Sequence, residues 1–525
     1  MLDIILPRND YNNSLSYYLQ QIGTTNFLGQ IPLKEKLHKM NIICNVKNML
    51  VRVLTPIFVT FTLPFLHESY AQDSLKVSAL IKKAKQTSYE ELMNAQSNFK
   101  CPNDTIYLGN RYLIIRDPKS GIPAKQFGPT RYEISAAKLW RFGIEANTAE
   151  DMKAFAKMVE STADPDTCKC DGTSSMSKWF YKRMADSLKD YAAGLSAVYH
   201  NQVKEFDGSN VIFETIQSSQ INSDCQHFGG KYVIFLNDRL MFLCQSMSAL
   251  VLSVTTTSTI PGNPNAITIP PNINDSIKAN PSILSSFVAH ALSFHYSCSP
   301  GPMIYENKVE EFSEYMELFV MAHEYAHALF NDFSQLEHSN NLSQKDNERR
   351  IWLNNWMNEI KADIYAQNIL VFKYRMKHPT YQNSMLLSAG SFYLACAEVL
   401  ENSLVVIKSG DSNAYDFKSQ EELRSKKLLD LIAPFPLSLK DNVIYDLKPE
   451  YISLIDQLMT SAHPSPRLRA WVLSNALATQ FKQKPKIRDL GMQNLLFVNA
   501  MSDMLQSILF SSKNYLIKIY HSQAF

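Results

Sequence analysis

The spacing of hydrophobic residues changes along the chain. Between residues 72 and 209, apolar residues recur at three- and four-residue steps, as in SLKVSALIKKAKQTSYEELMNAQ and SSMSKWFYKRMADSLKDYAAGLSAVYHNQVKEF, which predicts helices. The later stretches NVIFETI, KYVIFLND and RLMFLCQ are short and rich in β-branched and aromatic residues, which predicts strands. The proline- and asparagine-rich segment TTTSTIPGNPNAITIPPNIND predicts a loop. Helical spacing then resumes from about residue 281.

This order of elements predicts an α+β protein that is predominantly helical and contains a small antiparallel sheet. A mainly helical N-terminal region is expected over residues 72–209 and a region of short strands over 210–300. A helical domain follows over residues 301–480, and residues 481–525 form a helical C-terminal tail.

One predicted helix, residues 306–335, reads ENKVEEFSEYMELFVMAHEYAHALFNDFSQ and contains neither glycine nor proline. Within it, His323 and His327 are four residues apart and therefore share one face. Two imidazoles one turn apart can both reach one Zn²⁺ at about 2.0–2.1 Å. Glu324 is offset by one position, which directs it towards a water beside such a metal rather than at the metal. The alternative is a buried helix with two ordinary core histidines.

A catalytic zinc site needs a third protein ligand. The extended pattern His-Glu-x-x-His-x-x-Gly-x-x-His is excluded because Phe330 and Phe333 stand at its glycine and histidine positions. A second predicted helix, NERRIWLNNWMNEIKADIYAQNILVFK at residues 347–373, carries Glu359 and Asp363 on an otherwise apolar stripe. Buried carboxylates need a metal, a hydrogen bond or a counter-charge. Glu359 is therefore the candidate ligand, and Asp363 is expected to hold a metal-bound histidine.

The pair H-E-Y-A-H and N-E-I-K-A-D-I-Y-A-Q resembles the gluzincin zinc metallopeptidases. It looks most like the HtpX-like and CAAX-protease-like enzymes, and also like the ImmA-type peptidases. The resemblance spans roughly residues 306–470. It implies a zincin-like metallopeptidase domain with an active-site helix within residues 301–480. It also implies one Zn²⁺ per chain, bound by His323, His327 and Glu359, with Glu324 as the general base.

A weaker resemblance lies in SAHPSPRLRAW, residues 461–471. HtpX-like enzymes carry a comparable His-Pro pair followed by an arginine near the active site. The resemblance implies a catalytic role for His463 and a supporting role for Arg467 or Arg469, of which Arg467 is the first choice. The membrane-embedded relatives have spanning helices, and this sequence shows none beyond a possible leader.

The composition narrows the choice of partners. The formal net charge is +2 at pH 7, and no basic tract or basic-aromatic pattern indicates a nucleic acid.

The expected function is hydrolysis of peptide or protein substrates by a zinc-activated water. A strand within residues 231–246 is a candidate for pairing with an extended peptide, although an ordinary sheet is the preferred interpretation of it. The alternatives are a catalytically inactive binding or regulatory protein of the zincin fold, and a metal-free helical envelope protein.

Residues 49–71, MLVRVLTPIFVTFTLPFLHESYA, have the anatomy of a secretory signal peptide that ends at a small-x-small cleavage site. We therefore expect an exported protein, periplasmic or secreted, in which residues 1–48 are an upstream extension that is not necessarily translated. The alternative is a membrane anchor through residues 51–66. Residues 49–66 are the only segment through which membrane association is expected. Their apolar run is shorter than the ~20 residues of a spanning helix, which favours the signal peptide over the anchor.

The cysteines are compatible with an oxidising compartment. Of the eight cysteines in the chain, Cys101, Cys168, Cys170 and Cys225 cluster in the first half and are candidates for disulfide bonds. Their connectivity does not follow from the sequence.

Overall fold

The computed structural model describes only part of the chain. The described residues are 75–99, 105–108, 111–114, 148–162, 175–199, 208–218, 223–254, 256–260, 263–268, 287, 290–292, 294, 296, 307–332, 343–377, 384–410, 424–428, 449–459, 463–482, 514, 516–519 and 521. The predicted extension over residues 1–48 and the predicted leader over residues 49–71 lie outside them.

Helices dominate the described residues. In chain order the longer helices are α1 (75–97), α2 (Ala149–Thr162), α3 (Ser175–Tyr199), α4 (Leu240–Val254), α5 (Asn307–Phe330), α6 (Gln344–Lys377), α7 (Ser384–Ser409), α8 (Pro449–Leu458) and α9 (Pro466–Lys482). The strands are β1 (Thr105–Leu108), β2 (Arg111–Ile114), β3 (Val211–Ile216), β4 (Asp224–Phe228), β5 (Lys231–Asn237), β6 (Thr256–Ile260) and β7 (Asn263–Thr268).

The largest described sheet has three strands in the order β3-β5-β4. β3 pairs with β5 in parallel, and β4 pairs with β5 antiparallel. The sheet was expected to be antiparallel, but it is mixed. β5 follows β4 through a tight turn and is therefore antiparallel to it, whereas β3 is not joined directly to β5 and pairs with it in parallel. The described residues also include two antiparallel hairpins, β1-β2 and β6-β7. The α+β class and the predominance of helix are confirmed.

Apolar side chains cover both faces of this sheet. Val233 and Phe235 pack with Val77 of α1 on one face. Ile234 and Leu236 belong to the main core on the other face, together with residues of α3, α4, α5, α6 and α7. The alternation of side chains along β5 explains this division, since neighbouring residues of a strand point to opposite faces.

Two predictions for residues 239–275 were wrong. RLMFLCQ was expected to be a strand, but Leu240–Val254 is a helix. The apolar run extends through LMFLCQSMSALVLSV without glycine or proline, which is too long for a typical strand. The expected loop contains the hairpin β6-β7 instead. Threonine and isoleucine on either side of residues 261–262 favour extended backbone, and this preference outweighed the proline and asparagine content.

The two helices of the candidate site, α5 and α6, run antiparallel. The ion pair of Lys373 with Glu314 lies near one end of the pair. The contact of Asp363 with His323 lies in the middle, and that of Lys361 with Asp332 lies near the other end. The order of the contacts along α6 is the reverse of that along α5.

Among the described residues, one helical stretch is long and apolar enough to cross a membrane, judged by length and composition alone. It is Leu387–Ser409 of α7, with 23 residues and a mean hydropathy of 1.3. Of its most apolar window, 83% is buried inside the protein, where it packs in the main core.

The cysteine prediction is corrected at Cys225, which is a buried free thiol rather than half of a disulfide bond. Its side chain faces the core from β4, and burial raises the pKa of its thiol far above the usual range. The other three cysteines of that cluster lie outside the described residues.

Gly390 of α7 provides a test of the helix packing. A Cβ atom there would lie 2.5 Å from ring atoms of Phe319 on α5 and 3.0 Å from Gln367 on α6. Because Phe319 is fully buried and cannot move away, Gly390→Ala should lower the free energy of unfolding by about 1–3 kcal/mol. The matched control is Gly194→Ala, whose Cβ would approach the ring of Phe372 even more closely; this ring is partly exposed and can turn aside, so the loss of stability should be smaller. Equal stability of the two variants in urea titrations would contradict this packing.

Candidate metal centre

The two histidines of α5 face each other as the sequence predicts. The ring centroids of His323 and His327 are 4.7 Å apart, and the two Nε2 atoms are 3.1 Å apart. Both side chains are largely shielded from solvent, with exposed fractions of 8% and 12%. The apolar residues of this helix from Phe312 to Ala328 pack in the core, so the histidine pair is held on a rigid helix.

Helix α6 places Glu359 beside both imidazoles. Its Oε2 atom is 3.4 Å from Nε2 of His323, and its Oε1 atom is 3.5 Å from Nε2 of His327. The predicted stripe of α6 is buried throughout, from Trp352 at 8% exposure to Leu370 at 0%. An acid on this stripe must therefore face other groups of the protein, and Glu359 faces the two imidazoles.

These three residues fit a tetrahedral metal ion. Their ligand atoms lie within 4.8 Å of one another. Ligands placed at about 2.0–2.1 Å from a tetrahedral zinc lie roughly 3.3 Å from each other. The two Nε2 atoms are 3.1 Å apart, and each lies 3.4–3.5 Å from a different oxygen of Glu359, which is close to that spacing. Two imidazoles and a carboxylate are also a donor set typical of catalytic zinc.

The remaining ring nitrogens are each held by a carboxylate. Nδ1 of His323 is 2.9 Å from Oδ1 of Asp363, and Nδ1 of His327 is 2.9 Å from Oδ2 of Asp332. A carboxylate can only accept, so each Nδ1–H donates to its own carboxylate, and the Nε2 atom of each ring faces Glu359. Asp363 thus has the position predicted for it. Asp332 was not predicted.

Arg469 of α9 completes the polar cluster. Its Nε and Nη2 atoms donate to the two oxygens of Asp363, each at 2.7 Å, and its Nη1 atom is 3.2 Å from Oε2 of Glu359. The choice of Arg467 for this supporting role is therefore corrected to Arg469, the alternative two residues later.

The local sequence explains why Arg469 points into the site. Ser465 precedes the helix, and its hydroxyl accepts a hydrogen bond from the backbone N–H of Leu468. Pro466 occupies the first helical position, where its missing N–H is not needed. The Ser-Pro start thus fixes the register of α9 and places Arg469 in its first turn.

The charges of the cluster depend on each other. Burial lowers the pKa of His323, as does the nearby Arg469, but hydrogen bonds to Asp363 and Glu359 outweigh both and raise it to about 10. Burial alone would raise the pKa of Glu359, yet Arg469, His323 and His463 hold it well below its usual value. The pKa of Asp363 is lowered in the same way, chiefly by Arg469 against the effect of burial.

Glu324 lies next to this cluster and differs from the other acids. Burial raises its pKa, and the charges of Glu359 and Asp224 add to this rise, while the two imidazoles oppose it. Within the described residues, no hydrogen bond or ion pair joins its carboxylate to another side chain. A buried carboxylate with a raised pKa and no fixed partner is suited to exchanging protons.

His463 also reaches the cluster. Its Nδ1 atom is 3.0 Å from Oε1 of Glu359, and this hydrogen bond raises the pKa of the imidazole. Its side chain is 63% exposed, so it lies on the solvent side of the buried ligands. All the predicted site residues except Arg467 are thus brought together, with Arg469 in its place and Asp332 in addition.

Comparison with protein-family models, with curated proteins and with solved structures finds no match for this chain.

Replacing each arginine in turn tests the assignment of the supporting residue. Arg469→Met leaves Asp363 and Glu359 buried without their cationic partner, so it should lower the free energy of unfolding by about 3–5 kcal/mol. Arg467→Met is the matched control and should lower stability less, because Arg469 makes the bidentate pair with Asp363. Chemical denaturation of both variants measures the difference. Greater destabilisation by the Arg467 change would reverse the assignment.

The raised pKa of His323 predicts a pH-dependent stability in chelator-treated protein. The imidazolium is stabilised by folding, so its contribution is full below the unfolded pKa of about 6.5 and is lost as pH rises towards 10. Wild type should therefore lose stability relative to His323→Gln between pH 6.5 and 10. Urea titrations across this range measure it, and a constant difference between the two proteins would refute the charge assignment.

Proposed function

We propose that this protein is a zinc-dependent metallopeptidase. The observation that carries the proposal is the convergence of His323, His327 and Glu359 at tetrahedral spacing, beside a buried Glu324 that has no fixed partner. When bound, zinc supplies Lewis-acid activation of water and of a substrate carbonyl.

Glu324 is proposed as the general base. The pKa of its carboxyl group is raised towards neutral pH. A group with such a pKa can take a proton from water and later return it to the leaving amine. Glu324 follows His323 by one residue, so its side chain lies beside the three candidate ligands and is not one of them. Such a group transfers protons without competing for the metal.

His463 is proposed to stabilise the negative charge that develops on the carbonyl oxygen. Arg469 is less suited to this task because two of its nitrogens already donate to Asp363. The imidazole of His463 is mostly exposed and lies 3.0 Å from Glu359, so it borders the site from the side that a substrate would enter. Its raised pKa favours the cationic form, which suits an oxyanion.

A peptide substrate suits the position of the sheet. The candidate strand over 231–246 is an unsuitable docking strand, since β5 is central and pairs with β3 and β4, and residues 240–246 are helical. Strand β4 is an edge of the described sheet and packs near α5. An extended peptide could add to this edge through backbone hydrogen bonds.

Export through residues 49–71 remains a prediction from the sequence.

The proposed base can be tested separately from the metal. Glu324→Gln should keep about one zinc per chain, because Glu324 is not a ligand, and should lower hydrolysis of a quenched fluorescent peptide library by about 10²–10⁴-fold. The matched control is Glu348→Gln, an exposed glutamate of α6, which should leave both zinc content and hydrolysis unchanged.

Three outcomes of that experiment are informative. Zinc in the wild type together with hydrolysis that Glu324→Gln removes supports the enzyme. Zinc without any hydrolysis in the wild type would favour an inactive binding protein of the same architecture. Absence of zinc after reconstitution would refute the metal centre and leave a helical envelope protein as the interpretation.

A further inference from the structure

Asp332 contacts a candidate metal ligand from beyond the end of α5. Its Oδ2 atom accepts a hydrogen bond from Nδ1 of His327 at 2.9 Å. Its side chain is only 8% exposed, although it lies outside regular secondary structure. A buried carboxylate at a helix end needs a reason for its position, and the backbone at this end of α5 provides one.

The end of α5 is closed by two backbone hydrogen bonds. The N–H of Asp332 donates to the carbonyl of His327 at 3.1 Å, and the N–H of Asn331 donates to the carbonyl of Ala328 at 3.2 Å. Asn331 has a φ of 52°, in the left-handed region. These features define a Schellman cap, in which the chain reverses at Asn331. The cap turns Asp332 back towards the imidazole of His327.

Two other elements hold this reversal in place. The hydroxyl of Tyr232 on β5 donates to the side-chain oxygen of Asn331 at 2.7 Å. On the other side, Nζ of Lys361 on α6 is 3.8 Å from Oδ1 of Asp332 and 3.8 Å from the ring centroid of Phe330. The carboxylate of Asp332 therefore lies between the imidazole and an ammonium group, with one oxygen directed to each.

We propose that Asp332 is a positioning residue that fixes the tautomer and orientation of His327 for metal binding. The proposal rests on the zinc centre of the proposed function and extends it to a second carboxylate-histidine pair. Asp363 holds His323 from α6, whereas Asp332 holds His327 from the cap of the histidines' own helix. Lys361 orients the carboxylate through its second oxygen.

Zinc affinity tests this role without any measurement of hydrolysis. Competition with a fluorescent chelator would compare wild type with Asp332→Ala, Asp332→Asn and the control Asp186→Asn, an exposed residue of α3. We expect Asp332→Ala to weaken zinc binding by about 10–100-fold, the usual effect of removing a carboxylate behind a metal-bound histidine. Asp332→Asn should weaken it less, because an amide oxygen still accepts from Nδ1–H. Asp186→Asn should bind zinc like wild type.

A second measurement separates positioning from a merely structural role. ¹⁵N NMR of zinc-loaded wild type should show His327 with a protonated Nδ1, and Asp332→Ala should lose that single tautomer. A structural role alone would lower the melting temperature of the chelated protein while leaving zinc affinity and the tautomer unchanged, and this result would overturn the proposal. If the wild type itself binds no zinc, the proposed function fails instead.

Discussion

The bidentate ion pair between Asp363 and Arg469 is the interaction on which the candidate site depends. It joins α6 to the first turn of α9 and compensates a carboxylate that is almost completely buried. It also leaves Asp363 placed to hold His323, while the third guanidinium nitrogen contacts Glu359. Without this pair, the two buried acids would have only the neighbouring imidazoles to compensate their charge, and the folded state would lose stability.

The cluster still carries more negative than positive groups. Glu324, Glu359 and Asp363 lie around a single guanidinium, and the raised pKa of His323 shows that the imidazole attracts a proton in response. A dication between the Nε2 atoms would compensate the same excess of negative charge. To bind there, it would have to displace the proton from His323. The electrostatics that shift the histidine pKa are therefore the electrostatics that favour a metal. Under the proposed function, a proton and a metal ion would be alternative occupants of this acidic, buried position.

Much of this site was predictable from the sequence, because it lies on two long helices without glycine or proline. Helical periodicity placed His323 and His327 on one face and identified Glu359 and Asp363 as acids on a buried stripe. Asp332 could not be found in this way, since its position depends on a Schellman cap after the last helical residue. Arg469 was ambiguous because two arginines follow His463, and only the start of α9 at Ser465-Pro466 determines which one points inward. The strand error at RLMFLCQ has another cause: a fully buried helix shows no polar alternation, so a short window cannot distinguish it from a buried strand.

X-ray absorption at the zinc edge of reconstituted protein is the most direct measurement of the central claim. The account predicts about four light ligands near 2.0–2.1 Å, with the multiple-scattering pattern of two imidazoles that falls to one imidazole in His327→Ala. A zinc site with sulfur ligands, with no imidazole scattering, or with a spectrum unchanged by that substitution would contradict it.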